Sequence, residues 1–388
     1  MISPFIYGNI VSGRAFTNRK EEKEKLFSNM VNGVNTVIIS PRRWGKSSLV
    51  EKVFKEIPKK HKNIKTIIID LFTVSCEEEF LELFANEIIK ASSSVWQDWV
   101  RSGKEFFKRI IPKISFGIDP YSDFTVSFDW NELRKNKNEI LNLPETIAKK
   151  RKIKFVIGLD EFQILSTFKN YRQLEQNMRA VWQRQKNVTY CLYGSKRNMM
   201  TVIFDNPSNP FYRFGDLMFL KKIKRKEWIN FIRKGFEKSD KVIDVKIAEL
   251  IPRIMKDNSW YVQQLAHYTW NLTEKKATKG IVKKALQEVV SANTPLYEKI
   301  IEGLSHTQIN LLKAIIQNEI QLTSVMVMQK YNLGTPHNVS KNKEILIKKE
   351  IIDKEGDKFI FLDPVFEIWF NLKFNNYSLD GILAAEFD

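Results

Sequence analysis

Residues 40–48 of the chain read Ser-Pro-Arg-Arg-Trp-Gly-Lys-Ser-Ser, and the interpretation of the whole sequence starts from this segment. It matches the phosphate-binding pattern G-x-x-x-x-G-K-[ST], except that Ser40 takes the place of the first glycine. Gly45 lets the backbone approach a phosphate, Lys46 can reach the outer phosphates, and the Ser47 hydroxyl suits Mg²⁺. We therefore predict that ATP or ADP is bound by Pro41, Arg42, Arg43, Trp44, Gly45, Lys46, Ser47 and Ser48.

The residues on either side of this loop predict a strand, a loop and a helix in succession. Val34–Ser40 is an apolar, β-branched run typical of a buried parallel strand. Ser47–Ile57 has the pattern of a helix that ends at Pro58. Apolar runs that alternate with helical patterns are typical of a parallel sheet with helices on both faces. The sequence thus predicts an α/β fold, a three-layer P-loop NTPase domain, with further strands at Lys65–Phe72, Lys154–Asp160, Val188–Gly194 and Leu217–Leu220.

An acidic pair, Asp160-Glu161, follows the apolar strand Phe155–Leu159. Ligands of open α/β sheets bind at the carboxyl ends of the strands. Asp160 is therefore predicted to hold Mg²⁺, directly or through water, and Glu161 to act as the general base that polarises the attacking water. Two solvated turn acids are the alternative, but adjacent carboxylates at a strand end favour a bound cation. Lys65–Phe72 fits between the two motifs in the chain, an arrangement that resembles P-loop ATPases with a dedicated catalytic glutamate.

Composition limits the class of protein without choosing a partner. The 388 residues predict two or three domains, and a net charge of +18 favours an anionic partner, whether nucleotide, nucleic acid or membrane surface. The two cysteines, Cys76 and Cys191, imply no disulfide framework. We find no signal peptide and no apolar run of membrane-spanning length, so the expected location is the cytoplasm.

Changes of pattern along the chain predict four parts. The P-loop domain covers residues 1–222 and includes a hairpin insertion within residues 96–130. An all-α lid covers residues 223–296, and residues 297–374 have the order of a winged helix, with three helices followed by two strands around Gly356. An acidic tail, loose or docked, covers residues 375–388.

Several of these segments together resemble a known family. The segments PRRWGKSSL, FVIGLDEFQ, YGSKRNMM, NPFYRFGD and DPVFEIWF occur in the order found in the archaeal-type ATPase family. That family is AAA+-related, close to the signal-transducing STAND ATPases, and also found in bacteria. The resemblance runs from Phe16 to Phe370 and implies an ATP-binding protein, an Mg²⁺-dependent ATPase.

The resemblance also implies roles for residues outside the two motifs. Phe16–Leu26 is similar to the family's F-x-x-R-x-x-E segment, which lies against the adenine, with Phe16, Arg19 and Glu22 at the matching positions. An ordinary amphipathic helix start explains this segment nearly as well. Ser195 matches the polar sensor of the γ-phosphate, and it can equally cap the next helix. Arg213 is the candidate arginine finger, in cis or from a neighbouring subunit, with Arg179 as its competitor and a structural salt bridge as the alternative for either.

The winged helix leaves the partner open. Residues 297–374 contain ten lysines, no arginine and ten acidic residues, whereas a DNA-reading module normally carries a basic footprint. If it does read DNA, the third helix, about Pro336–Lys349, would present Ser340, Lys341 and Lys343, with Ile351–Leu362 as the wing. A protein partner or self-association through lid and winged helix is at least as well supported.

Three functional hypotheses follow from these observations. The first is an Mg²⁺-dependent ATPase that acts as a nucleotide-driven switch coupled to the winged helix. The second is a nucleotide-gated protein-interaction switch that hydrolyses ATP slowly or not at all. The third is a DNA-associated ATPase that uses its basic face, of which Lys221–Lys226 is the densest run.

Overall fold

The computed structural model describes residues 2–8, 19–92, 114–117, 125–128 and 136–386. The Cα positions divide into two units. One is Arg19–Lys221, and the other joins the described residues of Met1–Asn18 to those of Lys222–Asp388. The sequence places residues 1–18 in the P-loop domain, whereas the structure groups residues 2–8 with the second unit.

Five parallel strands form the sheet of the first unit, in the order β2-β5-β6-β1-β7. The loop strand β1 and the acidic strand β5 therefore lie on either side of β6, and β2 lies at one edge of the sheet. In the sheet, β6 separates the two motif strands, whereas in the chain β2 lies between the two motifs. The strands are β1 Thr36–Ile39, β2 Ile64–Asp70, β3 Ile114–Gly117, β4 Thr125–Phe128, β5 Lys154–Asp160, β6 Val188–Gly194 and β7 Asp216–Phe219.

Helices cover both faces of this sheet. Every residue of β1 and β6 is buried, as both faces of a parallel sheet in an α/β fold require. The ring of Phe54 covers Gly158 so closely that a Cβ on Gly158 would lie 3.0 Å from it. Strands β3 and β4 pair antiparallel, which confirms the predicted hairpin. The helices are α1 Lys20–Val31, α2 Lys46–Lys60, α3 Glu77–Ser92, α4 Lys137–Arg151, α5 Tyr171–Trp182 and α6 Arg197–Asp205.

The sequence predicts that the helix after the loop ends at Pro58, and this prediction is wrong. Helix α2 continues through it to Lys60. Proline has no N–H and so leaves the carbonyl four residues earlier, that of Phe54, without its helical donor. The Thr66 hydroxyl on β2 donates to this Phe54 carbonyl at 3.0 Å, so the neighbouring strand replaces the missing bond.

The second unit is helical up to a two-stranded wing. The predicted order of three helices followed by two strands is confirmed, with Gly356 at φ 62° between the strands. One 24-residue helix runs across the predicted border between lid and winged helix at residue 297, and Tyr297 is buried in its C-terminal half. The elements are α7 Arg225–Glu237, α8 Val245–Ile254, α9 Ser259–Leu272, α10 Lys279–Glu302, α11 His306–Ile316, α12 Val325–Lys330, α13 Pro336–Lys348, β8 Ile352–Glu355, β9 Lys358–Phe361, α14 Pro364–Phe374 and α15 Leu379–Ala385.

Residues 2–8 pack within the second unit through Phe5. The Phe5 side chain is buried, and a Cβ on Gly235 would lie 2.6 Å from its ring. The Ile6 N–H donates to the Gln263 side chain at 3.1 Å. The Phe5 carbonyl lies 3.2 Å from Nδ1 of His267. These contacts explain why the segment belongs to this unit.

The acidic tail is partly helical and docked. Leu383 of α15 is buried, and Lys283 of α10 pairs with Asp380 at 2.6 Å. Across the described stretches of the chain, every helix is too short or too polar to cross a lipid bilayer.

Candidate nucleotide site

The loop between β1 and α2 has the backbone that a phosphate cradle needs. Helix α2 begins at Lys46, directly after Gly45, whose φ of 86° favours glycine. Arg43 also lies in the left-handed region, at φ 66°, whereas Ser40 does not. The missing first glycine is therefore tolerated, since the left-handed turns occur at positions 43 and 45. Backbone N–H groups at the start of a helix form an anion site.

A hydroxyl and a carboxylate meet where the two motifs converge. The Ser47 Oγ donates to the Asp160 Oδ2 at 3.0 Å, which joins the first turn of α2 to the end of β5. Burial raises the pKa of Asp160 to about 6, against the lowering effect of the Lys46 charge. A partly buried carboxylate beside a hydroxyl fits Mg²⁺, which takes hard oxygen ligands and keeps waters and phosphate oxygens as the others. Among the described residues, no group of three or more His, Cys, Asp or Glu side chains could hold a metal by itself.

Lys46 supplies the positive charge of the site. Its side chain is only 6% exposed, and its charge lowers the pKa of both Asp160 and Glu161. Burial raises the pKa of Glu161. The Lys46 charge, together with hydrogen bonds from Gln163 and Ser195, outweighs burial and leaves that pKa below its ordinary value. Glu161 is therefore ionised, as a general base must be.

Glu161 sits at a sharp turn of the backbone. Its φ is 53°, in the left-handed region that a glutamate adopts only at a cost, and such conformations cluster at functional sites. Its N–H donates to the Asp160 Oδ1 at 2.8 Å, so the two acidic residues are coupled through the main chain.

Ser195 connects the phosphate loop to the candidate base. It follows β6, the strand between the two motif strands. Its Oγ donates to the Glu161 Oε2 at 2.9 Å and accepts from the Arg42 Nε at 3.3 Å. The structure therefore brings Arg42, Ser195 and Glu161 into one hydrogen-bonded chain, and the role of Ser195 as γ-phosphate sensor stays a prediction.

Arg19 is buried behind the loop. Its guanidinium donates to the Trp44 carbonyl at 2.7 Å and to the Lys221 carbonyl at 2.8 Å, and it pairs with Glu22 at 3.0 Å. Burial lowers the pKa of Arg19, against the raising effect of Glu22. Since its donors are directed at backbone carbonyls, Arg19 shapes the loop from behind. Phe16, its predicted companion at the adenine, lies outside the described residues.

The two candidate arginine fingers have different surroundings. Arg213 is exposed, lies at φ 51°, and its guanidinium carbon is 5.2 Å from the centre of the Tyr212 ring. Arg179 is half-buried on α5, with its guanidinium carbon 5.1 Å from the centre of the Phe214 ring. Within the described part of the chain each lies against an aromatic ring, and the choice between them stays a prediction.

The remaining residues of the predicted binding loop differ in exposure. Ser48 is buried, Pro41 and Trp44 are partly buried, and Arg42 and Arg43 are exposed. This exposure is compatible with contact between the two arginines and a phosphate.

Gln163 is a site residue that the sequence analysis missed. Its amide Nε2 donates to the Glu161 Oε2, the oxygen that also accepts from Ser195. The available signal was a polar residue just after the acidic pair, inside the otherwise apolar segment Phe162–Leu165.

Two of the three residues predicted for a DNA-reading face of the winged helix are exposed, and the reading face itself stays a prediction. Ser340 and Lys341 on α13 are exposed. Lys343 is partly buried, with its Nζ 5.3 Å from the centre of the Phe359 ring, and so belongs to the base of the wing. In the basic run at residues 221–226, Arg225 forms an ion pair with Asp257 at 2.8 Å, which gives it a structural role at the start of α7.

This parallel sheet with its phosphate loop defines a P-loop NTPase fold, and the second unit carries a C-terminal winged helix. A family model described as "Probable winged helix domain" matches residues 295–372. Comparison of the sequence with curated proteins gives no match.

Solved structures of two archaeal proteins are similar over nearly the whole chain. A Walker-type ATPase of Pyrococcus abyssi has a TM-score of 0.63 and 17% identity, covering 92% of this chain and 96% of that one. The ORC2 protein of Aeropyrum pernix, in ADPNP–ADP complexes, has a TM-score of 0.59 and 15% identity, covering 99% of this chain and 98% of that one. At these identities the likeness shows the fold.

Proposed function

We propose that the chain is an Mg²⁺-dependent ATPase whose nucleotide state controls its winged-helix unit. The observation that carries this proposal is the bond of 3.0 Å between Ser47 Oγ and Asp160 Oδ2, formed beside the buried Lys46. It joins the phosphate loop to the acidic strand in the arrangement that triphosphate and Mg²⁺ require. The affiliation with archaeal-type, STAND-like ATPases belongs to the same proposal and rests on the sequence motifs.

Each residue of the site has a distinct part in the proposed reaction. The loop amides and the Lys46 ammonium bind the phosphates, while Ser47 and Asp160 are the residues that would hold Mg²⁺. When bound, Mg²⁺ neutralises phosphate charge. The Glu161 carboxylate accepts a proton from water as the water oxygen bonds to the γ-phosphorus. The bond from that phosphorus to the bridging oxygen breaks, and ADP departs with that oxygen.

Two substitutions separate binding from turnover. Glu161→Gln should bind MgATP with unchanged affinity and lose about 10²–10⁴-fold in kcat, because the amide cannot accept the proton. Lys46→Ala should lose nucleotide binding. Lys59→Ala, an exposed position on the same helix, is the matched control. Titration with a fluorescent ATP analogue and steady-state phosphate release measure the two effects, and unchanged hydrolysis by Glu161→Gln would refute the role given to Glu161.

The purified wild-type protein can be used to distinguish an active ATPase from a nucleotide-gated switch. ADP that copurifies with the protein, together with negligible turnover until a partner is added, would support the nucleotide-gated protein-interaction switch.

A DNA-associated ATPase is a second candidate, supported by the exposed Ser340 and Lys341 on the third helix of the winged helix. Duplex binding through phosphate contacts should weaken steeply between 50 and 200 mM salt. Lys341→Ala should reduce that salt dependence, and no band shift at low salt would end this candidate.

A further inference from the structure

Two neutral side chains donate to the same oxygen of Glu161. The Ser195 Oγ donates to Oε2 from the end of β6, at 2.9 Å. The Gln163 Nε2 donates to the same Oε2 from the 3₁₀ turn Phe162–Thr167. Because the backbone turns at Glu161, with φ 53°, the Gln163 side chain reaches the residue two positions before it. Two donors on one oxygen fix the rotation of the carboxylate.

The space that Gln163 occupies exists because residue 194 is glycine. A Cβ on Gly194 would lie 1.8 Å from the Gln163 Oε1 and 3.0 Å from its Cδ. These distances are far inside van der Waals contact, so any side chain at position 194 would displace the carboxamide, and its Cβ would also lie 2.9 Å from the Met200 Sδ. Gly194 does not have a positive φ, so its small size matters here for clearance and not for backbone freedom.

In the described part of the chain, Glu161 accepts the one side-chain hydrogen bond that orients this carboxamide. Gln163 is 2% exposed, and its Oε1 is buried without a hydrogen-bond partner among the described residues. A buried acceptor without a donor costs stability. Turning the amide over would not help, because it would place Oε1 against the carboxylate oxygens. The carboxamide therefore donates to Glu161 through Nε2, while its Oε1 is left without a donor within the described ranges.

We propose that Gln163 is a positioning residue for the general base, and that Gly194 is kept small to admit it. The inference rests on the proposed ATPase function and deepens it. Gln163 does not touch nucleotide in this role. It acts through Glu161, by keeping one carboxylate oxygen bonded to protein so that the other is directed at the attacking water.

This role predicts a selective effect on turnover. A misplaced base lowers the rate of the chemical step without weakening the phosphate contacts made by the loop. A correctly placed base contributes about 10²–10⁴-fold, so losing one of its two side-chain restraints should cost about tenfold or more in kcat. Affinity for MgATP should stay within about twofold, because Lys46, Ser47 and Asp160 are unchanged.

A mutant cycle on the full-length protein tests the idea. Gln163→Ala and Gly194→Ala should each lower kcat by about tenfold or more, the first by removing the carboxamide and the second by displacing it. The double variant should be no slower than the slower single variant, because both changes disable the same contact. Gln163→Met conserves volume and guards against loss of folding, and it should match Gln163→Ala in kcat. Gln173→Ala, at an exposed glutamine on α5, is the matched control.

The outcomes separate this inference from the function on which it rests. Wild-type hydrolysis with unchanged kcat in Gln163→Ala and Gln163→Met overturns the positioning role alone. The positioning role is also overturned if the fold loss of kcat in the double variant equals the product of the two single losses. It is overturned as well if the affinity for MgATP falls in parallel with kcat. A wild-type protein that binds MgATP without hydrolysing it overturns both proposals, since no base is then at work.

Discussion

Replacing Glu175 by glutamine should stabilise the protein, and more at alkaline than at acidic pH. The Glu175 side chain is 2% exposed, and its Oε1 has no hydrogen-bond partner among the described residues. Burial raises the pKa of Glu175 from its ordinary 4.5 to about 7, and the nearby Arg172 charge lowers it only in part. The folded protein therefore binds this proton more tightly than the unfolded chain does.

The sign and size of the effect follow from the two pKa values. The stabilising contribution of the bound proton is complete below the unfolded-state pKa and is lost as the pH rises through the folded-state pKa. The difference between a pKa of 4.5 in the unfolded chain and about 7 in the folded protein lowers the free energy of unfolding by roughly 3 kcal/mol at pH 8 and by about 1 kcal/mol at pH 5. The glutamine variant cannot ionise, so Glu175→Gln should raise the free energy of unfolding by these amounts.

Equilibrium urea unfolding at pH 5 and pH 8 measures the prediction. Tryptophan fluorescence is a suitable probe, because Trp182 is buried on the same helix as Glu175. Glu24→Gln, at an exposed position of α1, is the control and should change little at either pH. Equal stabilisation at both pH values, or destabilisation at pH 8, would refute the claim that an ionised Glu175 opposes folding.

Two further substitutions probe the support of the loop. Arg19→Met should weaken MgATP binding and lower the free energy of unfolding by about 3 kcal/mol or more, because it removes charged hydrogen bonds to backbone carbonyls, including that of Trp44. Calorimetric titration and thermal unfolding measure both effects, and an Arg184→Met control at an exposed site should show neither. Thr66→Val should cost about 1–3 kcal/mol of unfolding free energy, since the Phe54 carbonyl then has no donor in place of the one that proline removes. A thermal transition unchanged from the wild type would contradict this account of how helix α2 passes its proline.

Much of the fold was predictable because burial on both faces leaves a strong pattern. The strands Lys154–Asp160 and Val188–Gly194 have the bounds that their apolar runs predict. The continuation of helix α2 through Pro58 was not predictable. The hydrogen bond that replaces the one lost at proline comes from Thr66 on strand β2, and the helical pattern of residues 46–60 does not include it. The sheet order was equally hidden, since sequence order alone does not say that β6 lies between the two motif strands.

The candidate site was predictable for residues that belong to a motif with a known chemical role. Lys46, Ser47, Asp160 and Glu161 meet as expected, because strand ends and a helix start bring them together. The supporting contacts were not predictable. The role of Gln163 depends on an absent side chain at position 194, and Arg19 acts through backbone carbonyls, which leave no trace in residue types.

The discontinuous second unit has a consequence for the order in which the molecule can be completed on the ribosome. Phe5 and Ile6 are made before the residues that secure them, because Gln263 and His267 lie 257 and 262 positions later in the chain. At about 5–20 residues per second, that separation corresponds to a delay of roughly 10–50 s. The unit Arg19–Lys221 contains the five strands of the central sheet, so this sheet can assemble before residues 2–8 have the partners that bury the Phe5 ring.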